Sequence, residues 1–356
     1  SKRDLKYMKF RIGKKLVGNN HPCRVVAELS GNHDGNFNRM KKLMLSAKKS
    51  GADYLKIQTY TPDTITLKSN KKDFLITNKS PWKSKKNLWN LYNKAYTPWS
   101  WHKKIFDYAK KIKIDLFSSP FDESAVDMLE KLKCPAYKIA SAEINHIPLI
   151  EKIAKTKKPV ILSIGLANIE DIRLALKTLK KNKSNNIIIL QCVSAYPSPL
   201  EEQNIKSIPK IKNDFKVLSG LSDHTIGYTT ALASVALGGN IVEKHFNLSD
   251  QKKTVDSFFS SNKEEFIDMI KEIRKIEAVL GHGKILISKS SKKNINSKRS
   301  IYISKKINKG CKITSKNIRV VRPSLSLHPK YYNQILGKKV RRNFDCGDRI
   351  TLKDIF

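Results

Sequence analysis

The 356-residue sequence predicts a (β/α)8 barrel followed by a small β-rich domain. Over residues 21–283, short apolar runs alternate with helical patterns, and eight strand-then-helix units can be counted. This alternation is typical of a parallel α/β sheet, and the count of eight favours a barrel over a doubly wound sheet. We therefore divide the chain into an N-terminal flap (1–20), the barrel (21–283), a linker (284–298) and the β-rich domain (299–356).

The predicted strands are apolar runs that end in polar residues: Cys23–Leu29, Tyr54–Thr59, Ile114–Phe117, Ala136–Ile139, Val160–Leu162, Ile187–Leu190, Val217–Ser219 and Ile241–Glu243. Helices are predicted where apolar spacing or a capping residue favours them: Phe37–Lys49, Glu123–Leu132 with Asp122 as N-cap, Pro148–Lys155, the stretch after Asn168, Thr229–Gly238 and Lys263–Leu280. Residues 61–101 are predicted to form a long loop, and loops of that length inside compact domains are usually functional.

The part after Gly283 differs in composition from the barrel. Residues 284–298 are rich in Lys, Ser and Asn with few apolar residues, as expected of a linker. Beyond them, short alternating runs such as Ser300–Ser304 are separated by glycine turns such as the one at Gly310. These patterns predict the small β-rich domain.

The net charge of +39 is extreme and raises the question of a nucleic-acid partner. However, the basic residues are mostly Lys, they are spread over nearly every predicted helix, and no nucleic-acid-binding motif accompanies them. We interpret them as a solvated surface whose positive field would favour an anionic substrate.

The five cysteines are scattered and form no CxxC pair, which favours a reducing compartment over a disulfide scaffold or a zinc ribbon. The sequence shows no signal peptide and no run of membrane-spanning length. A cytoplasmic protein without a membrane partner is therefore expected.

Two similar segments, Gly220–Thr225 and Ile241–Phe246, each place a histidine after a short apolar run. If His224 and His245 follow consecutive parallel strands, both side chains lie at the same end of the sheet. Beside Ser222 and Lys244, two imidazoles there indicate a divalent metal and an anionic substrate. The alternative, two hydrogen-bonded structural histidines, stays open.

In such barrels the chemistry lies at the carboxyl ends of the strands. Two lysines and several hydroxyls can hold a phosphate and a carboxylate, and two carboxylates can move protons. A serine after a strand is more often an N-cap, and Glu143 could belong to a salt bridge, so each residue has a structural alternative. The polar residues at the predicted strand ends are Glu28, Lys56, Ser118, Ser119, Lys138, Ser141, Glu143, Ser163, Ser194, Tyr196, Ser222, His224, Lys244 and His245.

Several motifs resemble the sialic acid synthase family, essentially over the whole chain from Met8. They are Ala27–His33, Lys56–Thr66, Ala95–Trp99, Phe117–Asp122, Pro135–Ser141, Gly220–Thr225 and Glu243–Phe246. The resemblance implies a TIM barrel with a C-terminal antifreeze-protein-like (SAF) domain. Within the family, Gln58–Thr66 and Leu91–Trp99 are more similar to the pseudaminic acid branch than to the N-acetylneuraminate or legionaminate branches.

The resemblance implies condensation of phosphoenolpyruvate with an acylamino sugar aldehyde, in which water attacks C2 and phosphate leaves by C–O cleavage. In the pseudaminate branch the acceptor is 2,4-diacetamido-2,4,6-trideoxy-L-altrose. It further implies that His224 and His245 bind Mn2+, Mg2+ or Co2+, and that Arg322 reaches the sugar from the partner in a domain-swapped homodimer. Phosphoenolpyruvate would be held by Lys56, Lys138, Ser141, Ser163, Ser194 and Ser222, with Ser119 and Asp256 also binding substrate and Glu28, Glu143 and Tyr196 beside the acceptor.

The chain departs from the family pattern at Ile164, at Thr254–Val255 and at Ser324, which leaves the placement of the substrate open. Three alternatives remain: the same chemistry on N-acetylmannosamine or the legionaminate precursor, a Schiff-base aldolase using Lys56 or Lys138, and a non-enzymatic protein that binds RNA.

Overall fold

The computed structural model describes residue 5 and residues 7–356, and it separates them into two compact units between Gly281 and His282. The first unit is a closed eight-stranded barrel, and the second is a small unit with an antiparallel sheet. No helix of the described residues is long and apolar enough to cross a membrane. The barrel fold is confirmed, while the finer division into flap, barrel, linker and terminal domain stays a prediction.

A β-hairpin precedes the barrel, within the segment predicted as a flap. Its strands β1 (Lys9–Ile12) and β2 (Lys15–Gly18) pair antiparallel. The hydroxyl of Tyr54 donates to the carbonyl of Ile12 at 3.0 Å, and the carboxylate of Asp115 accepts a turn amide at 2.8 Å. Because Tyr54 and Asp115 begin barrel strands, the hairpin covers the amino-terminal end of the barrel.

The barrel strands pair in parallel and in chain order, and the last strand closes the ring against the first. They are β3 (Arg24–Glu28), β4 (Tyr54–Thr59), β5 (Asp115–Pro120), β6 (Tyr137–Ile139), β7 (Val160–Ser163), β8 (Ile187–Cys192), β9 (Leu218–Asp223) and β10 (Ile241–His245). Several strands extend beyond their predicted carboxyl ends; β5, for example, continues through Ser118 and Ser119. These residues are still paired with β4, where the sequence pattern, which ends the strand at the first polar residue, predicted a loop.

Each barrel strand is followed by a helix of eight or more residues that precedes the next strand or, after β10, the second unit. The helices span Phe37–Lys49, Trp99–Lys111, Glu123–Lys131, Ile147–Lys155, Ile169–Lys181, Ser207–Phe215, Thr229–Ala236 and Lys263–Leu280. The predicted N-cap is confirmed, since the carboxylate of Asp122 accepts from the amide of Ala125 at 3.1 Å. Asn168 and Asn262 cap two other helices in the same way.

The prediction of a long loop over residues 61–101 is wrong. The segment holds the helices Pro62–Ile65 and Leu88–Ala95 and two short 3-10 turns, and the next helix already begins at Trp99. The side chain of Thr61 caps the helix Pro62–Ile65, and that of Asn87 caps the helix Leu88–Ala95. Helices this short carry too few turns to show a 3.6-residue apolar period, so the pattern was not visible in the sequence.

The second unit has its own apolar core. Strands β11 (Ser300–Ile303) and β12 (Ile318–Val321) pair antiparallel, and a short helix spans Tyr332–Ile335. A 3-10 segment, Ser291–Ser297, lies in the range predicted as a linker. The core residues are Ile301, Ile303, Ile307, Ile313, Ile318, Ile335, Val340, Phe344 and Ile350.

Lys244 lies on the outer face of β10, so the expectation that it stands beside the two histidines is wrong. Successive side chains of a strand point to opposite faces. Glu243 and His245 line the interior, whereas the Lys244 ammonium contacts Asp223 at 3.0 Å and donates to the carbonyl of Thr225 at 2.8 Å. Lys244 thus forms a buried ion pair between the barrel and its helical layer.

Lys244→Met is expected to lower the free energy of unfolding by about 3 kcal/mol, because it leaves the buried Asp223 carboxylate without its counter-ion. Urea unfolding followed by circular dichroism measures the change. The matched control is Lys271→Met, at an exposed position, which should change stability by no more than about 0.5 kcal/mol. Equal effects of the two substitutions would contradict this account of Lys244.

Candidate active site

A cavity of about 570 Å³ lies at the carboxyl end of the barrel. Most residues predicted from the strand ends line it together: Lys56, Lys138, Ser141, Glu143, Ser163, Ser194, Tyr196, Ser222, His224 and His245. Asp256, which was expected from the family resemblance, lines it too. Ser118 does not line it; its hydroxyl donates to the carbonyl of Ile57 on the neighbouring strand at 3.0 Å, which is a structural role but not the N-cap weighed for such serines. The roles of the lining residues stay predictions.

The floor of the cavity is a network of buried charges. The Lys56 ammonium lies 2.5 Å from Glu28 and 3.4 Å from Glu243, and the Lys138 ammonium lies 3.3 Å from Glu243. Lys56 also donates to the hydroxyl of Ser119 at 3.1 Å. Glu28 and Ser119 therefore hold Lys56 from beneath and do not line the cavity themselves.

Burial and the neighbouring charges shift the pKa values of these residues in opposite directions. Burial disfavours the ammonium of Lys56, but Glu243 and Glu28 outweigh it and raise its pKa. Burial lowers the pKa of Lys138, and burial raises the pKa of Glu28. Glu243 keeps a lowered pKa because Lys138 and Lys56 outweigh its burial. Two carboxylates thus already oppose two ammonium groups, and an anion bound here competes with Glu28 and Glu243 for the lysines.

Buried hydroxyls stand next to the lysines without partners. Among the described residues, neither Ser163 Oγ nor Ser194 Oγ has a hydrogen-bond partner, although both atoms are buried. Ser141 Oγ accepts from the amide of Gly165 at 3.0 Å. A Cβ at Gly165 would lie 2.4 Å from Ser194 Oγ, so any larger residue there would displace this hydroxyl. Since buried polar groups are normally satisfied, these hydroxyls indicate the place of a ligand's oxygen atoms.

The two histidine rings lie 5.5 Å apart between centroids at the cavity wall. His224 Nδ1 lies 2.8 Å from the carbonyl of Val193, to which it can only donate, so in the neutral ring the lone pair is on Nε2. Burial disfavours the charged form of His224, but Cys192 and the Val193 carbonyl outweigh burial and raise its pKa. His245 Nδ1 is buried and has no hydrogen-bond partner among the described residues, with Asp256 Oδ2 at 3.8 Å, and burial lowers the pKa of His245. Neutral imidazoles are the form that binds metals.

These residues fit a divalent ion with few protein ligands. The described residues contain no group of three or more His, Cys, Asp or Glu side chains arranged for a metal. An ion held by His224 and His245 would take its other ligands from substrate and water, as open catalytic sites do.

Glu143 is a buried carboxyl on the 3-10 turn after β6. Its Oε2 has no hydrogen-bond partner among the described residues, and burial raises its pKa to about 7, with Lys138 and Lys56 opposing. A carboxyl with a pKa near neutrality can both donate and accept a proton at physiological pH.

Several cavity residues were missed by sequence reasoning. Glu243 stands two residues before His245, so the two-residue period of a strand could have found it. Cys192, with Sγ 3.9 Å from His224 Nδ1, follows the same rule at the end of β8. The aromatic residues carried no such signal, because they come from loops and short helices: Tyr60, Trp82, Tyr92, Phe121 and Phe259.

Thr254 and Val255, where the chain departs from the family pattern, form contacts between loops. Thr254 Oγ1 donates to Asn32 Oδ1 at 2.6 Å, and Trp82 Nε1 donates to the carbonyl of Val255 at 3.1 Å. Val255 lines the cavity beside Asp256. Arg322 belongs to the separate C-terminal unit, and its expected contact with a sugar stays a prediction.

Lysines, unpartnered hydroxyls and two histidines at the carboxyl end of a closed (β/α)8 barrel are the residue types that metal-assisted chemistry on an anionic substrate would need. Comparison with known proteins identifies the family. Residues 43–285 match the NeuB family, and residues 298–355 match the SAF domain. The chain therefore belongs to the NeuB family, whose members are phosphoenolpyruvate-dependent nonulosonic acid synthases.

Individual relatives agree with this assignment. A pseudaminic acid synthase of Campylobacter jejuni is 42% identical over 330 residues, which cover 93% of this chain and 96% of the relative. An N,N'-diacetyllegionaminic acid synthase of the same species is 36% identical, covering 90% and 96%. The crystal structure of the spore coat polysaccharide biosynthesis protein spsE of Bacillus subtilis is 30% identical, covering 98% and 99%, with a TM-score of 0.66. The predicted family and the barrel–SAF fold are confirmed, which sets aside the Schiff-base aldolase and RNA-binding alternatives.

Glu143→Gln is expected to stabilise the protein above pH 7. The folded state holds the Glu143 proton up to about pH 7, whereas the unfolded chain releases it near 4.5, so stability falls as pH rises between these values. The difference between these two pKa values corresponds to about 3 kcal/mol of stability lost at high pH, or about 5 °C in melting temperature. The neutral amide of the variant does not lose this stability.

Thermal unfolding of both proteins at pH 4.5 and pH 8 measures this difference. The variant should melt higher than the wild type at pH 8 and show a smaller difference at pH 4.5. A difference that is independent of pH would contradict the raised pKa of Glu143.

Proposed function

We propose that this chain is a pseudaminic acid synthase, which condenses phosphoenolpyruvate with 2,4-diacetamido-2,4,6-trideoxy-L-altrose and water to form pseudaminic acid and phosphate. The observation that carries the choice of acceptor is the 42% identity to pseudaminic acid synthases over nearly the whole chain, against 36% to the legionaminic acid synthase. The alternative is the same chemistry on the legionaminate precursor or on N-acetylmannosamine.

Phosphoenolpyruvate binds at the floor of the cavity in this proposal. Lys56 and Lys138 are the only lysines among the described cavity-lining residues, and the unpartnered hydroxyls of Ser163 and Ser194 stand in the same lining. Lys138 has one carboxylate neighbour and Lys56 has two, so Lys138 loses less when it turns to the substrate. Ser141 and Ser222 complete the predicted set.

The acceptor lies above the phosphoenolpyruvate, beside Glu143, Tyr196 and Asp256. A divalent ion held by His224 and His245 would polarise the aldehyde carbonyl, and Mn2+, Mg2+ and Co2+ all suit imidazole and oxygen ligands. Glu143 moves a proton at the reacting centre, since its pKa of about 7 lets it change protonation state during the reaction. The ring of Tyr196 packs against that of His224 in a tilted arrangement with centroids 4.5 Å apart, which limits the movement of the imidazole.

The environment of the enzyme follows from its substrates. The net charge of +39 favours the approach of phosphoenolpyruvate. We propose a cytoplasmic enzyme, because phosphoenolpyruvate is a cytoplasmic metabolite, and a domain-swapped homodimer in which Arg322 of one chain completes the partner's site.

Phosphate release is expected only with phosphoenolpyruvate, the altrose derivative and a divalent metal together. EDTA should abolish release, Mn2+ should restore it, and His224→Ala or His245→Ala should lower kcat/KM by at least about a hundredfold. Each sugar is assayed separately with a colorimetric phosphate readout. Release with N-acetylmannosamine or the legionaminate precursor instead would overturn the choice of acceptor, and full activity of both alanine variants would overturn the metal site.

Lys138→Met is expected to raise KM for phosphoenolpyruvate by at least about tenfold, because a charge-assisted contact to the anion is lost. Lys244→Met is the matched control, since it removes another fully buried lysine that points away from the cavity. At a temperature where both variants are folded, the control should keep the wild-type KM. Equal KM values for the two variants would place phosphoenolpyruvate elsewhere.

A further inference from the structure

One side of the cavity is apolar and is formed by residues that the proposed chemistry does not use. This apolar wall consists of Tyr60, Ile65, Leu91, Tyr92, Ala95 and Phe121. All of them line the cavity, and all follow β4 or β5 in the chain or belong to the segment between these strands. The wall carries no charged side chain, in contrast to the floor with its four buried charges.

The wall is held in place by contacts among its own elements. Leu91 and Ala95 are four residues apart on the helix Leu88–Ala95 and therefore share a face. The ring of Tyr60 packs edge-on against Tyr92 at 5.7 Å and against Phe121 at 5.1 Å. These contacts give the wall a fixed shape.

The helix Pro62–Ile65, which carries Ile65, is also hydrogen-bonded to the helix Leu88–Ala95 of the wall. Trp89 Nε1 donates to the Asp63 carboxylate at 2.9 Å. Ile65 is only partly buried and lines the cavity, so its side chain is available to a ligand.

We propose that the apolar wall binds the C6 methyl group of the acceptor and makes the enzyme selective for 6-deoxy sugars. This inference rests on the proposed function, in which the charged floor binds phosphoenolpyruvate and the aldehyde lies next to it. The far end of the open-chain sugar, C6, then lies away from the floor. A methyl group gains from burial against the aliphatic side chains of Ile65, Leu91 and Ala95, which offer a hydroxymethyl group no hydrogen-bond partner in exchange for its water.

The magnitude of the selectivity is limited by its physical origin. An apolar pocket rejects an analogue that only adds a hydroxyl by about a hundredfold at most. We expect a preference of about tenfold to a hundredfold in kcat/KM for the 6-deoxy sugar over its 6-hydroxy analogue. The preference concerns C6 alone and is independent of the configuration at the other carbons.

The test compares 2,4-diacetamido-2,4,6-trideoxy-L-altrose with its 6-hydroxy analogue in the wild-type enzyme and in variants. Valine and threonine have nearly the same shape, so Ile65→Val and Ile65→Thr differ mainly in polarity. Ile65→Val should keep the preference, and Ile65→Thr should reduce it by about threefold to tenfold. Ala95→Ser tests a second wall position in the same way. Leu67→Thr is the control, because Leu67 is an exposed apolar residue outside the cavity lining and should leave the preference unchanged.

The outcomes separate this inference from the proposed function. Equal use of both sugars by the wild type would overturn the role of the wall, and so would a preference that survives in both Ile65→Thr and Ala95→Ser. If neither altrose sugar releases phosphate, the pseudaminate proposal fails, and the same C6 comparison on the manno-configured sugars tests the wall alone.

Discussion

The buried charges at the carboxyl end of the barrel constrain the rest of the site. Three ion pairs connect four buried residues there: Lys56 pairs with Glu28 and with Glu243, and Lys138 also pairs with Glu243. Such charges are costly to bury unless they are paired, so their positions fix how the surrounding strands can be arranged. The same network leaves Lys138 at the cavity surface, where an anionic substrate can replace part of its interaction with Glu243.

Around this floor the cavity is divided by chemistry. Unpartnered hydroxyls and two lysines occupy one part, two imidazoles with Asp256 occupy a second, and an apolar wall occupies a third. Condensation of an anionic enol with a sugar aldehyde needs all three environments: one for the anion, one for the carbonyl and one for the remainder of the sugar. The family defines the anion and the reaction type, and the third environment is where members that use different sugars can differ.

Strand alternation explains which sequence predictions succeeded. Lys56, Lys138, Ser222 and His245 were expected at strand ends, and the structure brings them into one cavity. Lys244 was expected there too, but it is adjacent to His245 on β10 and therefore faces the opposite side. Applying the two-residue period of a strand would have removed Lys244 from the predicted cavity residues and added Glu243 to them. The roles of these residues in binding and catalysis remain proposals.

The sequence by itself determined the eightfold alternation of strands and helices, the family motifs and most polar residues of the floor. These features are local, since a strand and the polar residue that ends it are neighbours in the chain. Only the tertiary structure decided the pairing of Glu243 with Lys56 and Lys138, the neutral state of His245 and the composition of the apolar wall. Ile65, Leu91 and Phe121 are far apart in sequence, and only closure of the barrel and packing of two short helices bring them together.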